Sequence, residues 1–485
     1  MTSTETITIS KQEFEQLKAE NTWLKHQLAE LKRLIFGAKS ERYIAPNPNQ
    51  PTLFELPEET LVEKPQEEIT YTRTKPDNKK QPLRLEIPSH LPRKTEIIEP
   101  ENLPEDAKKI GENITEVLEY EPASAYVRRI VRPKYIVEQN DEETRIVTAE
   151  LPTLPIPKGN AGASMLAHIM VSKFVDHLPF YRQVQIFKRQ ELHIPESTIG
   201  GWFSATCKLL EPLYGSLKAK ILLCKYLQAD ESPIPVLTND KPGATHKGYH
   251  WVYYDPWGKL VLYDYQKSRG REGPDEMLKN FIGFLQTDGY TVYTNLANYA
   301  NITLLACMAH ARRKFEHALD NNPLLAAEMM ILFGELYDIE RMGREANLSP
   351  ESLKELRQQK AKPVLDKMEA WLRKHLIQVP PKSALGMAIA YTLNLWPRLI
   401  RYIDDGRFQI DNNLIENSIR PLALGRKNYL FAGSHDAAQN AAMMYSFLAT
   451  CKINNVEPFA WFKEVLSIIP DYPANQLHKL LPGQK

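Results

Sequence analysis

Cysteine is scarce in this 485-residue sequence: Cys207, Cys224, Cys307 and Cys451 stand far apart, and no two form a Cys-x-x-Cys pair. That excludes a disulfide framework and a cysteine-only zinc site, and suits a reducing compartment. There is no apolar run of roughly eighteen residues, and the first residues lack the basic-then-apolar order of a secretory signal. A soluble, cytoplasmic protein without membrane contact is expected. Neither charge is in excess, with 61 Lys+Arg against 60 Asp+Glu. Any surface for nucleic acid must therefore be local.

What is present divides the chain into blocks. Residues 11–36 carry Phe14, Leu17, Leu24, Leu28, Leu31 and Ile35 in heptad order, with Asn21 at an a-type position. Two facing amides can satisfy each other there, so a parallel homodimer or higher oligomer through a coiled coil (residues 1–42) is expected; the alternative is an amphipathic helix packed on its own protein. Residues 43–108 hold 11 of the 35 prolines and no periodicity, which reads as a linker. Residues 109–150 contain β-branched runs, a small β module bearing Arg128, Arg129, Arg132 and Lys134. Residues 151–216 are helical in pattern. A helix ending near Gln190, the connection LHIPES and a second helix opening at Glu196 or Ser197 fit either a helix-turn-helix or an ordinary helical hairpin. Arg182 and Lys188 would supply phosphate contacts in the first case.

After Lys225 the period changes to that of strands. YLQADESPIPVL, HKGYHWVYYDP and KLVLYDYQ read as three successive strands, followed by a helix over about 272–281 and a strand FLQTDGY ending at Asp288. This is the order of an RNase H-like core (217–316 and 405–440), in which Asp230 and Asp288 can stand side by side. Residues 317–404 read as long amphipathic helices without a strand, an insertion before the last part of the core. DNNLIENSIRP then predicts a short helix capped by Asn412 or Asn413, ended by Pro421 and carrying Glu416 one turn before Arg420. Closing helices occupy 441–485, with Pro458 placed at a helix start.

Three carboxylates are what metal-directed phosphoryl transfer needs: two Mg²⁺ or Mn²⁺ ions roughly 3.5–4 Å apart require hard oxygen ligands and no thiolate. Any one of these acids read alone is most simply a solvated loop residue. Basic residues flank them: Arg312, Arg313 and Lys314 downstream of Asp288, and Arg420, Arg426 and Lys427 after Glu416. All six are candidate contacts for double-stranded DNA, against the plain reading of surface ion pairs.

The set ADESPIPVL, LQTDGY, CMAHARRKF and DGRFQIDNNLIENSIRPLALGRKNYLFAGS resembles the DDE transposases of bacterial insertion sequences, in particular the insertion-sequence sixty-six family. The resemblance runs in order from the N-terminal heptads to the end of the chain. It implies an RNase H-like domain interrupted by a helical insertion, with Asp230, Asp288 and Glu416 as catalytic residues and metal ligands. It also implies cleavage of element ends, joining of the 3′-hydroxyl to target DNA, and small companion proteins of the same element, in a nucleoid-associated protein. The family's cysteine zinc module is matched only in outline by GENITEVLEYEPASAYVRRIVRPKYIV, which contains no cysteine, so no zinc is carried over. An RNase H-fold nuclease without strand transfer and a catalytically inactive DNA-binding regulator remain the alternatives.

Overall fold

A computed structural model describes residues 126–131, 134–139, 144–148, 152–157, 159–238, 244–296 and 301–484. The heptads of 11–36 and the linker of 43–108 lie outside the described residues. The chain divides into two compact units. In the one ending at Thr148, β1 (Lys134–Gln139) pairs antiparallel with β2 (Thr144–Thr148), with a register shift between Ile136 and Glu138. Arg128 and Arg129 lie on exposed, non-strand backbone rather than on the strand expected of them.

The other unit opens with three helices: α1 (Ala163–Phe174), α2 (Phe180–Arg189) and α3 (Glu196–Ile221). The α2–α3 boundaries fall where the sequence places them. The mixed sheet follows: β3 (Tyr226–Leu237), β4 (Thr245–Asp255), β5 (Leu260–Gln266), β6 (Gly283–Thr287) and β7 (Ile302–Ala306), in the order β5-β4-β3-β6-β7. The first three form an antiparallel meander; β6 and β7 run parallel to β3. Short helices α4 (Glu272–Leu278) and α5 (Thr291–Leu296) connect the strands. The run ITLLA, ambiguous between helix and strand by its length, is β7.

Residues 317–404 contain helices and turns but no strand: the end of α6 (Met308–Ala318), then α7 (Pro323–Glu345), α8 (Pro350–Leu356), α9 (Lys362–Leu376) and α10 (Ala384–Leu399). Their apolar faces form one core with β7 and Tyr226, whereas α1–α3 and the C-terminal helices form another with β3–β5. Inside the helical block Arg357 is 1% exposed. Its guanidinium meets both oxygens of Glu340 at 2.8 and 2.7 Å and donates to the carbonyls of Tyr402, Asp405 and Phe408 at 2.8–3.0 Å. All five donors are thereby used, and the chain returning from the block to the sheet is fastened.

Three helices complete the unit: α11 (Asn413–Tyr429), α12 (His435–Ile453) and α13 (Pro458–Ile468). Strand β5 ends the sheet, so its outward amides need partners. Ser446 and Thr450, one turn apart on α12, accept from Tyr263 N–H at 2.8 Å and Val261 N–H at 3.1 Å. Pro458 sits in the first turn of α13 as expected, with Glu457 capping Phe459 and Ala460.

One expectation fails here: α11 does not stop at Pro421. The helix runs on to Tyr429, 17 residues in all, because Ile415, Ser418, Leu422 and Gly425 form a stripe buried against the sheet. Burial of that stripe outweighs the one intrahelical hydrogen bond that proline removes.

Candidate active site at the junction of two strands and a helix

The site is built on a repeated pattern. Tyr226-Leu-Gln-Ala-Asp230 on β3 and Phe284-Leu-Gln-Thr-Asp288 on β6 are both aromatic-Leu-Gln-x-Asp, and the parallel register pairs them residue for residue: Tyr226 with Phe284, Leu227 with Leu285, Gln228 with Gln286. Two residues beyond the last pair stand Asp230, still on β3, and Asp288, one residue past the end of β6. Alternation along β3 gives Asp230 the face of Gln228. The face is defined by the glutamines, since Gln228 Nε2 donates to Gln286 Oε1 at 3.0 Å.

The same glutamines grip the third element. Gln228 Nε2 also donates to the Asp411 carbonyl at 3.1 Å, and its Oε1 accepts from Ile415 N–H at 3.3 Å. Gln286 Nε2 donates to the Gln409 carbonyl at 2.8 Å, while Tyr226 hydroxyl donates to Gln286 Oε1 and accepts from Gln409 N–H. Ile415 N–H is among the first-turn amides of α11 that have no helical partner, so a side chain from the sheet caps this helix. Asn412 and Asn413, the expected caps, do not do so. Asp411 Oδ1 accepts from Asn413 N–H at 3.0 Å, and Asn412, 1% exposed, makes no side-chain cap hydrogen bond. Glu416, half-buried in the first turn, is thus carried by a helix end tied directly to the Asp230 and Asp288 strands.

Around these acids the contacts are specific. Asp230 Oδ1 accepts from Glu231 N–H and Asp288 Oδ1 from Tyr290 N–H, both at 2.8 Å. Gly289, at φ +93°, makes the turn that returns Tyr290 N–H to Asp288. On the opposite face of β3, the Glu231 side chain pairs with Arg269 at 2.5 Å, and the Arg269 guanidinium lies 4.2 Å over the Tyr290 ring. Burial raises the Glu231 carboxyl above its usual range, and Asp288 pushes it the same way against Arg269. Tyr391 donates to the Asp288 carbonyl at 2.5 Å, and Lys314 Nζ stands 5.4 Å from its ring. Cys307 lies wholly inside, where its sulfur accepts from Asn412 N–H at 3.2 Å; burial, with Asp411 and then Glu416 adding charge, pushes its thiol well up. It is a packing and hydrogen-bonding residue of the α6–α11 junction.

The basic residues separate. Lys314, Arg420 and Lys427 are exposed and Arg313 is half-buried. Arg182 is exposed and donates to Asn428 Oδ1 at 3.2 Å, which brings α2 beside the end of α11. Arg426 donates to the Pro233 carbonyl and so ties α11 to β3. Lys188 is exposed on the last turn of α2, and no contact links it to the carboxylates. Arg312 turns inward: it is 6% exposed and pairs with Glu316 at 2.5 Å beside Tyr337. Each residue along a helix turns a side chain by about 100°, so the two steps from Arg312 to Lys314, about 200°, leave Arg312 inward and Lys314 facing out.

Among the described residues, no three His, Cys, Asp or Glu side chains already stand together as a metal cage. Asp230, Asp288 and the glutamate of the attached helix offer hard oxygens of the kind magnesium and manganese prefer. Their chemistry fits such ions. No described helix is long and apolar enough to cross a membrane.

A mixed α/β protein with one acid inside a strand, a second just past the end of the parallel strand beside it, and a further acid on a docked helix, defines the class. Comparison with known sequences names it more closely. Residues 158–440 match the Transposase IS66 family, residues 23–95 match the Transposase C of IS166 homeodomain, and residues 446–482 match the IS66 C-terminal element. Relatives in Sinorhizobium fredii (strain NBRC 101917 / NGR234) include the uncharacterized proteins y4jD, 33% identical over 97% of this chain and 96% of the relative, and y4qI, 33% identical over 93% and 87%. A third, y4hP, is 31% identical over 84% of this chain and 77% of its own length. The chain belongs to the IS66 family of insertion-sequence transposases.

Proposed function

We propose that the chain cuts and joins DNA by carboxylate-directed phosphoryl transfer, on an RNase H-like core formed by its five-stranded sheet. The observation that carries this reading is the β3–β6 register, which pairs Gln228 with Gln286 two residues before Asp230 and Asp288, while Gln228 holds the first turn of the Glu416 helix. The sheet order supports the fold reading, with an antiparallel meander followed by two parallel strands and the helical block standing before the third acid.

Asp230, Asp288 and Glu416 are the residues that would hold two divalent ions, magnesium or manganese, which when bound activate the attacking oxygen and stabilise the leaving one. In cleavage, an oxygen of water bonds to the scissile phosphorus, the 3′-oxygen leaves and takes a proton, and a 3′-hydroxyl results. In joining, that hydroxyl loses its proton as its oxygen bonds to a target phosphorus and the target's own 3′-oxygen departs. No covalent bond to the protein is required. Lys314, beside the Asp288 loop, and Arg420, Lys427 and Arg182, on and beside α11, would bind duplex phosphates, while Arg313 contributes charge near Tyr391. The heptads of residues 11–36 would pair two copies, and companion proteins of the element would complete the assembly.

The test is strand transfer by purified protein with Mg²⁺ and a labelled duplex carrying the element's own end. Wild type gives joined molecules, whereas Asp230→Asn and Glu416→Gln bind the duplex and join nothing. Joined product from Glu416→Gln would sink the assignment, and products that are cut but never joined would make the protein a nuclease.

A further inference from the structure

The end of α11 carries an apolar feature that the chemistry above does not use. Leu430, its C-cap, has φ 64° and ψ −45°, and Phe431 N–H returns to the Tyr429 carbonyl at 2.7 Å, so Leu430 is the central residue of a γ-turn with positive φ. That conformation is rare and strained for a branched side chain. Both flanks are fixed. Leu430 N–H bonds the Arg426 carbonyl at 2.9 Å, and Ala432 exchanges hydrogen bonds with Pro235 and Leu237 at 2.9 Å each. Yet the strain presents apolar surface to solvent: Leu430 is 62% and Phe431 42% exposed, and Leu424, two turns earlier, is 51% exposed.

Leu430 lines a groove of about 620 Å³ with His246, Lys247, Arg426 and Lys427. Among the described residues, no acidic side chain lines it. Apolar side chains held rigidly inside a cationic rim complement a polyanion with apolar stacked interiors, which is the arrangement of base steps between phosphates. A second copy of the chain meeting this patch about a twofold axis would bring the same cations against themselves, so self-association is the poorer occupant.

The distance to the carboxylates follows from regular geometry. Fourteen residues of helix separate Glu416 from Leu430, roughly 21 Å at about 1.5 Å per residue. Six residues of strand separate Asp230 from Val236, which bridges Ala432, roughly 20 Å at about 3.3 Å per residue. At about 3.4 Å per base pair both lengths come to roughly six base pairs.

We propose that Leu430 and Phe431 form a wedge that enters a base step of bound duplex DNA roughly six base pairs from the scissile phosphate, unstacking it. The proposal rests on the DNA-transposase reading and assigns the γ-turn a part in it. It is tested with the full-length protein and duplexes of the element end that carry fluorescent aminopurine at successive positions, without divalent ion so that only binding is read. Wild type raises fluorescence at one or two adjacent positions at that distance, and the rise is lost in Leu430→Gly and in Phe431→Ala. Glycine suits the positive φ, so Leu430→Gly keeps the fold while removing the side chain. Lys427→Ala weakens binding but keeps the rise at saturating protein. A rise that survives both apolar variants, a wild type that binds without any rise, or variants that change only the oligomeric state in sedimentation would each overturn the wedge. A wild type that binds and unstacks but never joins strands with Mg²⁺ and the element's companion proteins would sink the strand-transfer reading and leave the wedge standing. Failure to bind the duplex would overturn both.

Discussion

Replacing Gln228 tests whether the sheet positions the helix that carries Glu416. The side chain is 0% exposed and satisfies three groups at once: Gln286 Oε1, the Asp411 carbonyl and Ile415 N–H. In Gln228→Ala the Ile415 amide and the Asp411 carbonyl lose these partners inside the protein. At about 1–3 kcal/mol for each unsatisfied group, partly relieved by relaxation, the loss comes to about 3 kcal/mol. Gln228→Glu should be worse although it keeps the shape. Its Oε1 still accepts from Ile415, but the second oxygen now faces the Asp411 carbonyl and Gln286 Oε1, two acceptors, and a charge is buried. Urea unfolding gives the stability order wild type, Gln228→Ala, Gln228→Glu, and hydrogen exchange at Ile415 reads the helix end directly. In the proposed reaction both variants also lose strand transfer and need more Mg²⁺, because Glu416 is displaced. A Gln228→Ala protein within about 0.5 kcal/mol of wild type, with Ile415 still protected, would refute the argument.

The Arg357–Glu340 pair makes a similar prediction with larger numbers. Arg357→Met leaves a carboxylate at 5% exposure without its partner and should cost about 3–5 kcal/mol, whereas Arg357→Met with Glu340→Leu should recover most of that; equal losses in the single and double variants would contradict it. His250, 0% exposed between Tyr263 and Tyr265, has its pKa lowered to about 3, first by burial and then by Arg426. Its folded pKa lies below the unfolded value of 6.5, so the unfolded chain binds the extra proton and stability is lost as pH falls from 6.5 toward 3. At pH 5 the loss is about 2 kcal/mol. His250→Phe should remove that part of the acid sensitivity, and unfolding curves of the two proteins that stay parallel from pH 7.5 to pH 4 would refute it.

The first four strands of the sheet, though not β7, the α2–α3 boundaries and the strand positions of Asp230 and Asp288 were legible because they rest on local signals: period two, turn residues and lengths of apolar runs. Pro421 misled because its cost is local and small, whereas the buried stripe that overrides it depends on a sheet nearly two hundred residues earlier in the chain. Arg312 looked equivalent to Arg313 and Lys314 because adjacency in sequence says nothing about which helical step faces inward. Gln228 and Gln286 were missed although a signal existed. The aromatic-Leu-Gln-x-Asp pattern occurs twice, and a buried polar residue repeated at the same offset from two acids is better explained by a shared partner than by chance.

That partner changes how DGRFQIDNNLIEN is understood. Its density of polar residues suggests a stretch given over to chemistry, but most of it is docking. Phe408 packs between Phe284 and Tyr226, with ring centroids 4.7 and 5.0 Å away. Gln409 offers both backbone groups to the sheet, Ile410 carbonyl accepts from Met308 N–H, and Asp411 joins Tyr337 to Asn413. Asn412 N–H goes to the Cys307 sulfur. Successive residues thus fasten the chain to β3, β6, α6 and α7 before the helix begins, and Glu416 follows one turn later. In the proposed reaction, a carboxylate that joins two others from a distant part of the sequence needs its own helix fixed at the end nearest them. The polar residues around it supply that fixation through backbone hydrogen bonds, and for this reason the residues that set its position are spread over four elements rather than clustered beside it.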